Sequence, residues 1–97
     1  MLGAYTSIGT GRDTVTTAGT REQMAAQACN VVILTAETDN TGIVVVGDVG
    51  VVASLATRQG TPLNVGESVV LSVTNLNKLY LDVTVSGDGV TFLWLGD

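Results

Sequence analysis

Residues 68–95 read SVVLSVTNLNKLYLDVTVSGDGVTFLWL, and this stretch decides the fold. Val69, Leu71 and Val73 fall on one face of the run Ser68 to Thr74. Further on, Leu79, Leu81, Val83 and Val85 alternate with Tyr80, Asp82 and Thr84. Successive side chains of a strand point to opposite sides, so a period of two predicts two half-buried β-strands. Asn75-Leu76-Asn77-Lys78 connects them. Gly87-Asp88-Gly89 has the chemistry of a tight hairpin turn, and Val90 to Leu95 predicts a final strand.

The same reading extends toward the N-terminus. Pro62 lacks a backbone donor, so it should sit in an edge element, and Val65-Gly66-Glu67 turns the chain into the strand at Ser68. Asn30 to Ala36 (NVVILTA) is a β-branched run suited to burial on both faces. Asp39-Asn40-Thr41-Gly42 is turn chemistry before Ile43 to Val46, so residues 30–47 predict a hairpin. Val51 to Thr57 reads as a strand or an irregular connection. Asp13 to Thr17 and Thr20 to Ala25 are candidate strands, although Arg21 to Ala28 also carries residues that favour a short helix. Seven or eight short strands at this spacing predict a β-sandwich or small barrel. Residues 1–12 alternate Gly with Leu2, Tyr5 and Ile8. Glycine at that density is costly to order, so they read as a flexible arm ahead of a domain at 13–97.

Composition excludes more than it specifies. Ninety-seven residues fit one domain with a thin core. Nine acids stand against Arg12, Arg21, Arg58 and Lys78, a net charge of −5, and the four cations are scattered. No basic stripe exists for a phosphate backbone, so neither nucleic acid nor an anionic membrane is an expected partner. Only 13% of residues are charged, against about a quarter in an average soluble domain. With a mean hydropathy of +0.43, this predicts apolar surface covered by another chain. The apolar runs are too short for a membrane helix, and no signal peptide is predicted, which points to synthesis and folding in a cytoplasm.

The means for catalysis are scarce. There is no His, and Cys29 stands alone, which predicts a buried structural thiol rather than a disulfide or nucleophile. A Ser or Cys nucleophile would need Lys78 or a carboxylate as its base, and no motif arranges either. Asp39, Asp48 and Asp88 adjoin turn residues, where a carboxylate ordinarily bonds local backbone. Asp39, Asn40 and Asp48 lack the alternating oxygen spacing of a calcium loop. Gly9-Thr10-Gly11-Arg12 lacks the Lys-Ser/Thr end of a phosphate loop. The chain therefore reads as a non-enzyme without cofactor or metal. Tyr80 and Trp94 are the candidate interface anchors.

The order of landmarks is more specific than any one of them. A VTTAGT lead (15–20) precedes TDNTGIVVVG (38–47), then TPLNVGES (61–68), Asn75-Leu76, Leu79-Tyr80-Leu81, and a Gly-Asp-Gly turn running into Val90 to Trp94. This resembles small β-sandwich virion proteins of tailed bacteriophages over roughly residues 14–95. The resemblance implies a single antiparallel sandwich of jelly-roll type with an extended N-terminal arm. It also implies a role as a capsid decoration (cement) protein on the virion surface, made in the host cytoplasm. The implied partner is the major capsid protein, and the implied state is a homotrimer. Leu2, Tyr5 and Ile8 of the arm are the expected shell contacts. The alternative it leaves open is a receptor- or glycan-binding module of a tail or head fibre, using Tyr80, Trp94 and loop carboxylates.

Overall fold

The computed structural model describes residues 4–97, which form two antiparallel four-stranded sheets packed face to face. The strands are β1 (Ser7–Thr14), β2 (Glu22–Gln23), β3 (Val31–Ala36), β4 (Val44–Gly47), β5 (Thr61–Leu63), β6 (Ser68–Leu71), β7 (Tyr80–Val83) and β8 (Gly89–Gly96). One sheet has the order β1-β8-β3-β6 and the other β2-β7-β4-β5. First pairs with last, second with seventh, third with sixth and fourth with fifth. One long hairpin has been rolled up, which is the jelly-roll topology.

That rolling corrects two expectations. Residues 30–47 do not close a hairpin, because β3 and β4 lie in different sheets; the same holds for β7 and β8 across Gly87-Asp88-Gly89. Both turns are crossovers between sheets, and polar side chains bind them to each other. Asn40 donates from Nδ2 to the carbonyl of Gly89 and accepts the Gly89 N–H, both at 2.9 Å. Asp88 accepts the N–H groups of Thr41 (3.1 Å) and Gly42 (2.8 Å). Both side chains are buried, and these bonds satisfy backbone groups that no ladder reaches. Pro62 does lie on an edge strand, β5. The stretch 21–28 is not helical: it pairs at Glu22–Gln23 and makes a single bridge from Ala28 to Asn75.

The core follows the period of two. Val32, Leu34 and Ala36 of β3 meet Val44 and Val46 of β4, Leu81 and Val83 of β7, and Val90 of β8 between the sheets. Val69 and Leu71 of β6 pack against this cluster from the edge. Cys29 is buried at its rim, donating from Sγ to the carbonyl of Val73 at 3.3 Å, and desolvation raises its thiol pKa.

The outer faces of the two sheets differ. Over the second sheet, the excursion between β4 and β5 folds back, placing Val51 and Ala53 against Val45, with Ile43 and Tyr80 alongside. Asp82, 2% exposed, holds this cover in place. Its Oδ2 accepts the N–H of Ala53 (2.9 Å), and its Oδ1 accepts those of Gly19 (3.0 Å) and Val83 (2.9 Å). No segment among the described residues folds back over the first sheet in this way, although Val31 of its outer face is buried.

Candidate functional site

The uncovered face belongs to β1-β8-β3-β6, and strand register shows what it presents. Ile8, Leu95 and Val31 form one row across three strands, of which Val31 is buried and Ile8 and Leu95 reach the surface. Thr10, Leu93, Ile33 and Val70 form the next. Arg12, Thr91, Thr35 and Ser68 form the third, with Thr35 and Ser68 hydroxyls 2.7 Å apart. The face thus grades from apolar to polar along the strands. At the polar end Arg12 reaches Glu37 (2.9 Å) and Asp39 (3.6 Å). At the apolar end Ile8 is 66% exposed and Val70 56%, with Leu93, Leu95 and Ile33 half-buried between. A shallow depression of about 610 Å³ runs over Thr10, Ile33 and Leu93. Other exposed apolar side chains, Val49, Leu55, Val65 and Val85, lie singly outside the strands, whereas Ile8 and Val70 flank half-buried Leu93, Leu95 and Ile33 on one sheet face, the kind of contiguous patch that marks an interaction surface.

β1 also forms an open sheet edge. Val15 donates to the carbonyl of Asp88 and accepts the N–H of Gly87, so both its backbone groups face the neighbouring chain. Antiparallel pairing alternates, which turns the backbone groups of Gly9, Gly11 and Asp13 toward β8. Those of Ile8, Thr10 and Arg12 therefore point away, into the open. Of the four sheet edges, β2 has two residues and β5 carries Pro62, both ordinary ways to blunt an edge. β1 has eight residues and no proline.

Behind this edge the sandwich gapes. The inward positions of β1 are Gly9, Gly11 and Asp13, opposite Trp94, Phe92 and Val90. The indole of Trp94 lies over Gly9 and the ring of Phe92 over Gly11, close enough that a Cβ at either glycine would collide with them. Aromatic rings leaning over glycines of a neighbouring strand stabilise an edge. They also leave a cleft of about 420 Å³ between the sheets along β1. Phe92, Trp94, Met24 and Leu76 give it apolar walls, and Gln23 and Gln27 lie at its rim. Asp13 closes one end. Burial, and then the Glu22 carboxylate, push the Asp13 pKa up, with a backbone hydrogen bond at Thr14 opposing them.

The residues singled out in the sequence are dispersed by the fold. Leu2 lies outside the described residues, and Tyr5 is half-buried just ahead of β1. Ile8 is on the open face. From Ser7 onward the segment read as a flexible arm is an edge strand paired along its length with β8, so the sandwich begins at Ser7 rather than 13. Pairing with a strand some eighty residues downstream supplies the order that the glycines withhold. Trp94 is on the inner side of its sheet, facing the cleft, whereas Tyr80 packs on the outer side of the other sheet; the two are not one site. Asp39 pairs with Arg12, and Asp48 accepts the Gly50 N–H at 2.9 Å at the far end of β4, so Asp39, Asn40 and Asp48 do not converge. No group of acids or Cys with metal-holding geometry occurs among the described residues, nor a helix long and apolar enough to cross a membrane. Asp13, Phe92, Leu93 and Val70 escaped the sequence reading. For Phe92 the signal was the matched alternation of Gly9 and Gly11 with Trp94 and Phe92. No protein-family model matches the chain, and no curated protein or solved structure is significantly similar to it.

Proposed function

We propose that this protein is a structural module of a tailed-phage virion, a decoration protein that docks on the outside of the capsid shell and stabilises it. The observation that supports this reading is the asymmetry of the sandwich. One sheet carries its own cover, tied down by Asp82, while the other leaves Ile8, Leu93, Leu95, Ile33 and Val70 without one. Burying such a face contributes about 25 cal/mol per Å² of apolar area removed from water. Docking stabilises the shell through mass action, because the protein binds assembled subunits better than dissociated ones. Assembly as a homotrimer would multiply these weak contacts through effective concentration. Of the three expected contact residues, Ile8 lies on the face in question, and Leu2 falls outside the described residues.

The test uses particles of a phage encoding the chain, with its gene deleted, and purified protein added back. Wild-type protein should co-sediment with the shells and raise the temperature at which they release DNA. Ile8→Asp combined with Val70→Asp should abolish both effects while leaving the soluble protein folded. Equal binding by the double variant would rule out this face.

A further inference from the structure

We propose that the free edge of β1 accepts an extended strand from a partner protein, whose inward-facing side chains fill the cleft between the sheets. This does not depend on the partner's being a capsid protein. The edge supplies the affinity: the N–H and C=O groups of Ile8, Thr10 and Arg12 point outward, unpaired within the sheet, at the spacing an antiparallel strand needs. The cleft supplies the specificity. A strand laid against β1 extends the sheet, so every second side chain enters the space beside Gly9, Gly11 and Asp13. The rings of Trp94 and Phe92 lie over the two glycines, so the side chains of an added strand meet those rings, with Met24 and Leu76 beyond them, rather than side chains of β1.

The same geometry describes the occupant. Opposite Gly9 and Gly11 it carries large apolar residues, which the apolar walls require. Opposite Asp13 it carries Lys or Arg, since Asp13 lines that end of the cleft, half-buried, with the Glu22 carboxylate near enough to repel its charge, and an added cation offsets both effects. A second copy of this chain fits poorly. In a twofold antiparallel β1–β1 pairing the inward residues would again be Gly9, Gly11 and Asp13, which leaves the cleft unfilled and adds carboxylates.

A capped peptide reading Thr-Lys-Thr-Leu-Thr-Val-Thr, antiparallel to β1, places Lys, Leu and Val opposite Asp13, Gly11 and Gly9. Titrated into the full chain, it should protect the amides of Ile8, Thr10 and Arg12 from hydrogen exchange. It should also shift the emission of Trp94, the single tryptophan. A control with Asp in place of both Leu and Val should do neither. Thr10→Pro removes an outward N–H while leaving the β1–β8 ladder intact, and should weaken binding roughly tenfold. Asp13→Asn should weaken the Lys peptide and leave a version with Leu in its place unaffected. Absence of amide protection in the wild-type protein would overturn the proposal. So would a Trp94 response to mono- and disaccharides with those amides still exchanging, which would make the cleft a sugar site. Protection of the same amides without peptide, rising with protein concentration, would assign the edge to a second copy instead.

Discussion

Replacing Asp82 with Asn tests the element that holds the cover over one sheet. The carboxylate is 2% exposed and accepts three backbone N–H groups, from Gly19, Val83 and Ala53. In the asparagine, the remaining oxygen can keep the Gly19 and Val83 bonds. Its amide then faces the Ala53 N–H, donor against donor. An unsatisfied buried group costs about 1–3 kcal/mol, and the two retained bonds lose their charge assistance. Relief from burying a charge offsets part of this, which leaves a net loss of about 2–4 kcal/mol. A domain of this length has roughly 5–15 kcal/mol to lose. The melting temperature should therefore fall by roughly 10–25 °C. Calorimetry reads that shift, and amide exchange at Ala53 locates it, since the cover should open before the core does. A fall of only a degree or two with Ala53 still protected would show that Asp82 does not anchor the cover.

Three further outcomes follow from the same contacts. The raised Asp13 pKa means that the folded state holds its proton more tightly than the unfolded chain does, so this group costs no stability below the ordinary carboxylate value and costs progressively more as pH rises through its folded value. Asp13→Asn should accordingly raise stability near neutrality and leave it unchanged in acid, as read by urea denaturation at both pH values. Gly11→Val drives a side chain into the ring of Phe92, and should cost about 1–3 kcal/mol by the same assay while narrowing the cleft. Cys29, buried and with its thiol pKa raised by desolvation, should react with a thiol reagent only at the rate of unfolding, which a labelling time course in increasing urea would show.

Strand content was legible because alternation and β-branching survive without tertiary context, as at Val69 and Leu71 of β6 and Leu81 and Val83 of β7, although the alternation runs on through Val73 and Val85 where the strands have already ended. What local sequence could not specify was which sheet each strand would enter. Asp39-Asn40-Thr41-Gly42 and Gly87-Asp88-Gly89 carry the chemistry of turns, and a turn residue does not distinguish a hairpin from a crossover. Here that choice is made by Asn40 and Asp88 bonding each other's turns, contacts between residues nearly fifty positions apart. β1 was hidden for a related reason. Glycine weakens a strand taken alone, whereas at Gly9 and Gly11 it admits the rings of Trp94 and Phe92. The open face was foreshadowed by low charge and high hydropathy, but its position depended on register, which no single strand encodes.

The proposed shell docking is tested most directly by amide exchange on the protein free and mixed with capsid shells of a phage whose genome is found to encode it. Protection gained at the outward amides of the two edge strands, Ile8, Thr10 and Arg12 of β1 and Val70 of β6, with the covered sheet unchanged, is the expected result. Protection confined to the covered sheet, or particles that neither contain the chain nor bind it, would contradict the assignment of this protein as a shell-docking module.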